Sequence, residues 1–342
     1  MATGYVYDPI FLEHNLAGHP ENRERLLGIL ALLEEKDALQ GLTQVAATPI
    51  AMEQLTRAHS PAYVEQVRRL AESGGGYLDP DTYVGSGTYD AALAAAGGLV
   101  NAVLATLRGE IDNAFALLRP PGHHAAKSRG AGFCIFNNVA VAAHAALAEE
   151  GVERVLIADF DVHHGDGTQA LFYDDPAVLF FSTHQYPHYP GTGHWSERGQ
   201  GAGEGTTINV PLPPGVGDEG FRRIYDEVLT PAARRYRPQL ILVSAGFDAH
   251  WDDPLAGMSL SIQGYADLVR RLIELAGELC GGRIAFTLEG GYRKVVLPYA
   301  VLNALRLLSG HGEVEDPLGP APDRRERDID KLLAQVKDVH GL

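Results

Sequence analysis

The chain has 342 residues, 45% of them hydrophobic and 21% charged, enough to bury roughly three-quarters of its unfolded surface, which excludes a disordered polypeptide. Its 28 lysines and arginines face 44 aspartates and glutamates, and the net charge of −16 argues against a protein that tracks nucleic-acid phosphates. Two cysteines, Cys134 and Cys280, cannot build a disulfide framework, so the expected compartment is a reducing one, the cytoplasm. Residues 1–8 carry neither a basic nor an apolar leader, and no apolar run is read as approaching the roughly 20 residues of a membrane span. Neither secretion nor membrane insertion is expected.

Along the chain, amphipathic helical patterns cover 21–35, 61–72 and 88–108, followed by a short apolar strand at 113–118 and a helix at 138–149. Strands are then expected at 154–159, 177–182 and 206–210, a helix at 218–235, a strand at 239–244, a helix at 262–279, a strand at 283–288 and a helix at 297–308. Continuous apolar strands separated by helices predict an α/β fold: a doubly wound, mainly parallel sheet with helices on both faces. The Gly/Pro-rich segments 74–76, 187–205 and 211–217 read as surface loops, and the second is long enough to shape a site. No linker divides residues 1–310, which are expected to form one domain. Residues 311–342 turn acidic and proline-rich through Pro322 and end in a charged, helix-like segment from Arg324, an expected appended tail.

Ligands of open parallel sheets bind beyond the carboxyl ends of the strands, and the unusual polar residues of this chain follow strands. The strand at 113–118 runs into Arg119-Pro-Pro-Gly-His123-His124, and that at 154–159 into Asp161-Val-His163-His164-Gly-Asp166. The strand at 239–244 runs into Asp248, and that at 283–288 into Glu289-Gly-Gly-Tyr292. Asp161 and His163, two apart at a strand end, face the same way and can share a cation. Asp248 is the best-placed third donor, giving two carboxylates and one imidazole with coordination left open, the pattern of a catalytic rather than a structural zinc. Strand-end hydrogen bonding is the competing account. The His123-His124 pair needs partners for four ring nitrogens, and Asp159 and Asp166 could fix their tautomers for acid-base work; a solvent-exposed pair is the alternative. Tyr292, behind two glycines, can be aimed into a pocket as a donor to an oxyanion, or be a surface aromatic.

Together these residues resemble the histone deacetylase superfamily, whose fold is arginase-like α/β. The matching stretches are Arg119-Pro-Pro-Gly-His-His, Gly132-Phe-Cys-Ile-Phe-Asn-Asn138, Asp159-Phe-Asp-Val-His-His-Gly-Asp-Gly-Thr168, Tyr189-Pro-Gly-Thr-Gly193, Gly-Phe-Asp248 and Glu289-Gly-Gly-Tyr292, spread over about 19–308. The resemblance implies one zinc ion held by Asp161, His163 and Asp248. It implies His124 as general base and then acid, His123 as electrostatic partner, Asp159 and Asp166 as their respective supports, and Tyr292 as the transition-state tyrosine. Phe133 and Tyr189 become the walls of an acyl-lysine channel, with simple packing the alternative for Phe133. Gly132, Gly291, Leu255 and Asp81 join the substrate-binding set, although the loop 78–83 holds a second acid, Asp79. Arg25 resembles an arginine below the metal that lines an acetate exit, a helix-surface arginine being equally tenable. Ser182 and the backbone of 159–163 match a structural monovalent-cation (K+) site.

Glu289-Gly-Gly-Tyr292 resembles class II and bacterial members rather than class I. Leu255 stands where polyamine-selecting relatives carry a glutamate, which argues against specialised polyamine deacetylation. The implied activity is zinc-dependent hydrolysis of N-acetyl- or N-acyl-lysine-type amides, in an acetylated lysine peptide or a small acylated amine. Neither nucleic acid nor membrane is an expected partner, and homo-oligomer formation is left open. The rivals are a small-molecule or acetylpolyamine amidohydrolase, a two-manganese arginase-type hydrolase, which would need a carboxylate at His250, and a silent acyl-lysine binding module.

Overall fold

The computed structural model of the chain describes residues 2–149, 151–323 and 325–342. Among the described residues ten strands occur in order: β1 Thr3–Val6, β2 Thr43–Val45, β3 Gly76–Tyr77, β4 Tyr83–Val84, β5 Asn113–Ala116, β6 Val155–Asp159, β7 Val178–Gln185, β8 Thr207–Leu212, β9 Leu240–Ala245 and β10 Ile284–Leu288. Eight of them form one sheet in the order β2-β1-β5-β10-β9-β6-β7-β8, every pairing parallel. β3 and β4 make a separate antiparallel hairpin. Strands β5 to β10 of the main sheet are buried at every residue, as parallel strands covered on both faces must be. The predicted doubly wound α/β architecture is the one observed.

The four strands predicted to deliver chemistry, β5, β10, β9 and β6, are consecutive neighbours at the centre of the sheet. Parallel register sets Asp159 of β6 beside Ser244 of β9 and Ser182 of β7, so the strands end level and their loops converge.

Sequence patterning missed β1 and β2, and also the helices Met52–Ala58 and Asp166–Phe172, whose 7 residues are too few to show a period. The helix expected to start at residue 21 starts at Glu24, because Glu21 turns inward to Arg119 and Arg25. The helix expected over 218–235 is three pieces, Asp218–Ile224, a wide π-type turn at Tyr225–Leu229, and Thr230–Tyr236. Pro231 offers no N–H to the preceding turn, which accounts for the break.

One expectation is corrected. The helix Thr88–Leu107 is 20 residues long and, by length and composition alone, apolar enough to cross a membrane. It is instead packed between the sheet and the helix Asn138–Leu147, with 67% of its apolar window buried in the protein.

Residues 311–323 and 325–342 run back along the body. Glu315 pairs with Lys36 and Arg306, and the Trp251 indole donates to Gly319 O at 3.0 Å. The Glu326 carboxylate accepts from the backbone N–H groups of Gly217, Glu219 and Gly220 at the start of the helix Asp218–Ile224, where a negative charge is favoured. The closing helix, Asp330–His340, buries Leu333, Val336 and His340; Arg324, the predicted start of the helix-like segment, lies outside the described residues.

Candidate active site

Asp161 and His163 follow β6, and Asp248 follows β9. Nδ1 of His163 lies 3.1 Å from Asp161 Oδ1 and 3.3 Å from Asp248 Oδ2, and all three side chains offer donor atoms within 4.8 Å of one another. The outer oxygens are already used: Asp161 Oδ2 accepts from Gly290 N at 2.8 Å, and Asp248 Oδ1 from Val162 N at 2.9 Å. Asp248 Oδ2 is buried and has no hydrogen-bond partner among the described residues. A fully buried carboxylate oxygen left in this way is well placed to accept a cation. Ligand separations near 3.3 Å suit a tetrahedral ion with bonds of about 2.0–2.1 Å, so two aspartates and an imidazole fit a zinc-like divalent ion with coordination to spare. Gly290 permits the close approach, since a Cβ there would fall 2.1 Å from Asp248 Oδ2 and 2.5 Å from Asp161 Oδ2.

His123 and His124 are both buried at 3% exposure, which removes the solvent-exposed alternative. Nδ1 of His123 is 3.0 Å from Asp159 Oδ2, and Nδ1 of His124 is 2.7 Å from Asp166 Oδ1. Burial opposes charge on His123, but the carboxylates of Asp161 and Asp159 outweigh it and hold its pKa well above the ordinary histidine range. Burial, with cationic His123 alongside, pushes His124 down to about 4. Carboxylate neighbours and burial thus push the two adjacent rings in opposite directions.

A cavity of about 190 Å³ opens above these groups. His123, His124, His163 and Tyr292 reach it from below, and Gly132, Phe133, Tyr189, Asp81 and Leu255 border it higher up. Phe133, with φ of 71°, stands edge-on to Tyr292 at 5.9 Å, and Tyr189 edge-on to His124 at 5.2 Å. Gly132 has φ of +54°, and a Cβ there would meet His124 Cδ2 at 2.3 Å, so the channel wall admits no side chain at that point. Of the two acids in the 78–83 loop, Asp79 turns to the N–H groups of Asp81 and Thr82, while Asp81 borders the cavity. Gly291 lies on an adjoining cavity of about 310 Å³, and it is Gly290 that borders the substrate cavity. Asp159, Asp161, Asp166 and Asp248 stand behind the lining. Ser182 Oγ lies 2.9 Å from His184 Nδ1.

Glu289, Arg119 and His188 support the site in ways the sequence did not assign to them. Glu289 accepts from Gly122 N at 2.7 Å and His123 N at 3.2 Å, tying the histidine loop to β10, and burial pushes its carboxyl up to about 7. Arg119, with its side chain fully buried, donates to both oxygens of Glu21 and to Phe11 O. Arg25 is buried, not on a helix surface. It bonds Glu21, Gly291 O and Glu289 O, and its guanidinium lies 4.9 Å from the centre of the Tyr292 ring. His188 stacks on His163 at 5.2 Å and bonds Leu255 O at 3.0 Å; its one signal was its place beside Tyr189 in the flagged 187–205 loop. The carboxylates that a second metal would need are spent elsewhere: Asp252 pairs with Arg293, and Asp253 accepts from Tyr292 N and Leu255 N.

A parallel α/β sheet that gathers two aspartates and an imidazole able to hold a metal ion, two carboxylate-backed histidines and a phenol has the groups a hydrolase site needs. Comparison with known proteins narrows the class. The Histone deacetylase domain family matches residues 19–308. The chain is 42% identical to a "Probable deacetylase" of Archaeoglobus fulgidus, over 98% of this chain and 95% of that protein. It is 40% identical to the "Histone deacetylase-like amidohydrolase" of Pseudomonas aeruginosa, over 88% of this chain and 80% of the relative. A crystal structure titled as the HDA15 HD domain superposes with a TM-score of 0.91 at 33% identity, covering 99% of this chain and 94% of that one. The chain belongs to the histone deacetylase family, and that membership implies hydrolase activity of the deacetylase type.

Proposed function

We propose that the protein is a zinc-dependent deacetylase that hydrolyses the amide of N-acetyl- or N-acyl-lysine-type amines. The observation that carries this reading is the unpartnered Asp248 Oδ2, grouped with Asp161 and His163 at the foot of a cavity that His124 and Tyr292 also reach. A bound zinc ion supplies polarisation of the amide carbonyl and acidification of a water. The rest is the work of this chain's own side chains. The neutral His124 ring, its Nδ1 fixed by Asp166, receives the water proton at Nε2 and returns it to the leaving amine. His123, backed by Asp159, keeps a positive charge beside the developing negative one. The Tyr292 hydroxyl donates to the carbonyl oxygen as charge builds there. Phe133 and Tyr189 flank the acylated stem and exclude water, and Asp81 accepts from the substrate backbone at the rim. The two cysteines are free and buried, which supports the reducing cytoplasm as the compartment.

Two outcomes are expected from this assignment. A fluorogenic acetyl-lysine peptide is hydrolysed, a chelator abolishes the turnover, and added Zn2+ restores it; binding without turnover in the zinc-replete protein would instead mark a silent module. Leu255 borders the cavity and offers no carboxylate to a distant ammonium, so kcat/KM for the acetyl-lysine peptide should exceed that for N-acetylputrescine by about tenfold or more, the scale of one lost charged contact. Equal values would shift the reading to a polyamine enzyme.

A further inference from the structure

At the opposite end of the sheet from His124, where β6, β7 and β8 begin, lies a cavity of about 640 Å³. Four arginines reach it from three segments: Arg154 ahead of β6, Arg198 in the 187–205 loop, and Arg235 and Arg237 at the end of the helix Thr230–Tyr236. In a chain of net charge −16 such a concentration is out of keeping with the surface. Glu204, 3.2 Å from Arg198 Nε, is the one carboxylate on the cavity wall among the described residues. The Arg237 guanidinium enters no ion pair or hydrogen bond among the described residues, while the Arg237 carbonyl oxygen accepts from Arg154 Nε at 3.1 Å.

The second observation is His340. It is 6% exposed, lines the cavity, and neither Nδ1 nor Nε2 has a hydrogen-bond partner among the described residues, whereas the buried Nε of Arg198 has the Glu204 ion pair. Buried imidazoles ordinarily satisfy at least one nitrogen. Arg235 donates to His340 O at 2.9 Å and to Gly341 O at 3.3 Å, which fixes the helix end that carries the ring. Burial, then the charges of Arg198 and Arg235, push His340 down to about 4, so at neutral pH it offers one N–H donor and one lone pair. Leu179, Ile208 and Ala232 supply an apolar wall. Guanidinium forks, a neutral imidazole donor and an apolar wall together suit an anion carried on an organic body.

We propose that this cavity binds a small organic phosphate, its phosphate held by Arg154, Arg198 and Arg237 with a hydrogen bond from His340, and its organic part laid against Leu179 and Ile208. The site is independent of the deacetylase reading, since none of its residues borders the catalytic cavity.

The test is calorimetric titration of the full chain with AMP, with adenosine and succinate as controls at matched ionic strength. Saturable one-to-one binding of AMP alone is expected, weakened about tenfold or more in Arg198→Met and in Arg237→Asn, as loss of a charge-assisted hydrogen bond implies. Acetyl-lysine turnover should be unchanged in both variants. In the unsubstituted protein, the His340 ring 15N resonances, assigned with His340→Gln, should move with the same saturation curve, a readout that does not depend on the variants folding. Absence of saturable heat at millimolar AMP, equal binding of succinate, or saturation with the His340 resonances unmoved would each overturn the proposal.

Discussion

Replacing Tyr292 by phenylalanine is expected to lower turnover of an acetyl-lysine peptide by roughly 100- to 1000-fold with little change in KM, the cost of removing one donor from an oxyanion. The ring is held independently of its hydroxyl: Phe133 stands edge-on at 5.9 Å, the Arg25 guanidinium lies 4.9 Å from its centre, and the backbone N–H is fastened to Asp253 Oδ2 at 2.8 Å. Deleting one oxygen therefore leaves the packing in place. Burial outweighs the nearby Arg25 guanidinium and holds the phenol well above its usual range, so it remains a donor at neutral pH. Steady-state kinetics on a variant with unaltered thermal unfolding decides the point, and an unchanged rate would remove Tyr292 from the chemistry.

The largest expected effect on stability comes from Arg119→Met. Arg119 and Glu21 are both fully buried and face each other through both carboxylate oxygens, with Arg25 bound to the same glutamate at 2.9 Å. Removing one member of a buried pair strands the other in a medium that solvates it poorly, and the cost is roughly 3–5 kcal/mol. Arg119 and Arg25 keep Glu21 ionised against its burial, so the loss falls on a charged carboxylate. Denaturant unfolding measures the loss. The double variant Glu21→Gln with Arg119→Met should recover part of it, because the stranded charge is then gone; a single variant as stable as the parent would show that the pair contributes nothing. Since Arg119 opens the segment that carries His123 and His124, residual activity at low temperature should fall as well.

The central part of this architecture is legible because parallel strands buried on both faces write themselves as unbroken apolar runs, as at 154–159 and 239–244, and because ligands gather where such runs end. That logic predicts the grouping of Asp161, His163 and Asp248 before their distances are known. It is blind to pairings across the chain. Glu21 and Arg119 are 98 positions apart, and nothing in either local pattern announces that one neutralises the other. Glu289 reads as a variant of a glycine motif, whereas in space its carboxylate holds the turn before His123. Short edge strands such as Thr43–Val45 have too few residues for a period to emerge, and the helix Thr88–Leu107 shows that an apolar stretch of spanning length can be core. The arginines around His340 come from distant segments and become a cluster only when the sheet brings them together.

The account rests most heavily on the pairing of Asp161, His163 and Asp248 around a single divalent ion. Metal analysis of purified active protein, run in parallel on Asp248→Asn, tests this most directly. The expected result is one zinc per chain with full turnover in the parent, and both metal and turnover lost from the variant. Two ions per active chain, or undiminished turnover in protein stripped of metal, would contradict it.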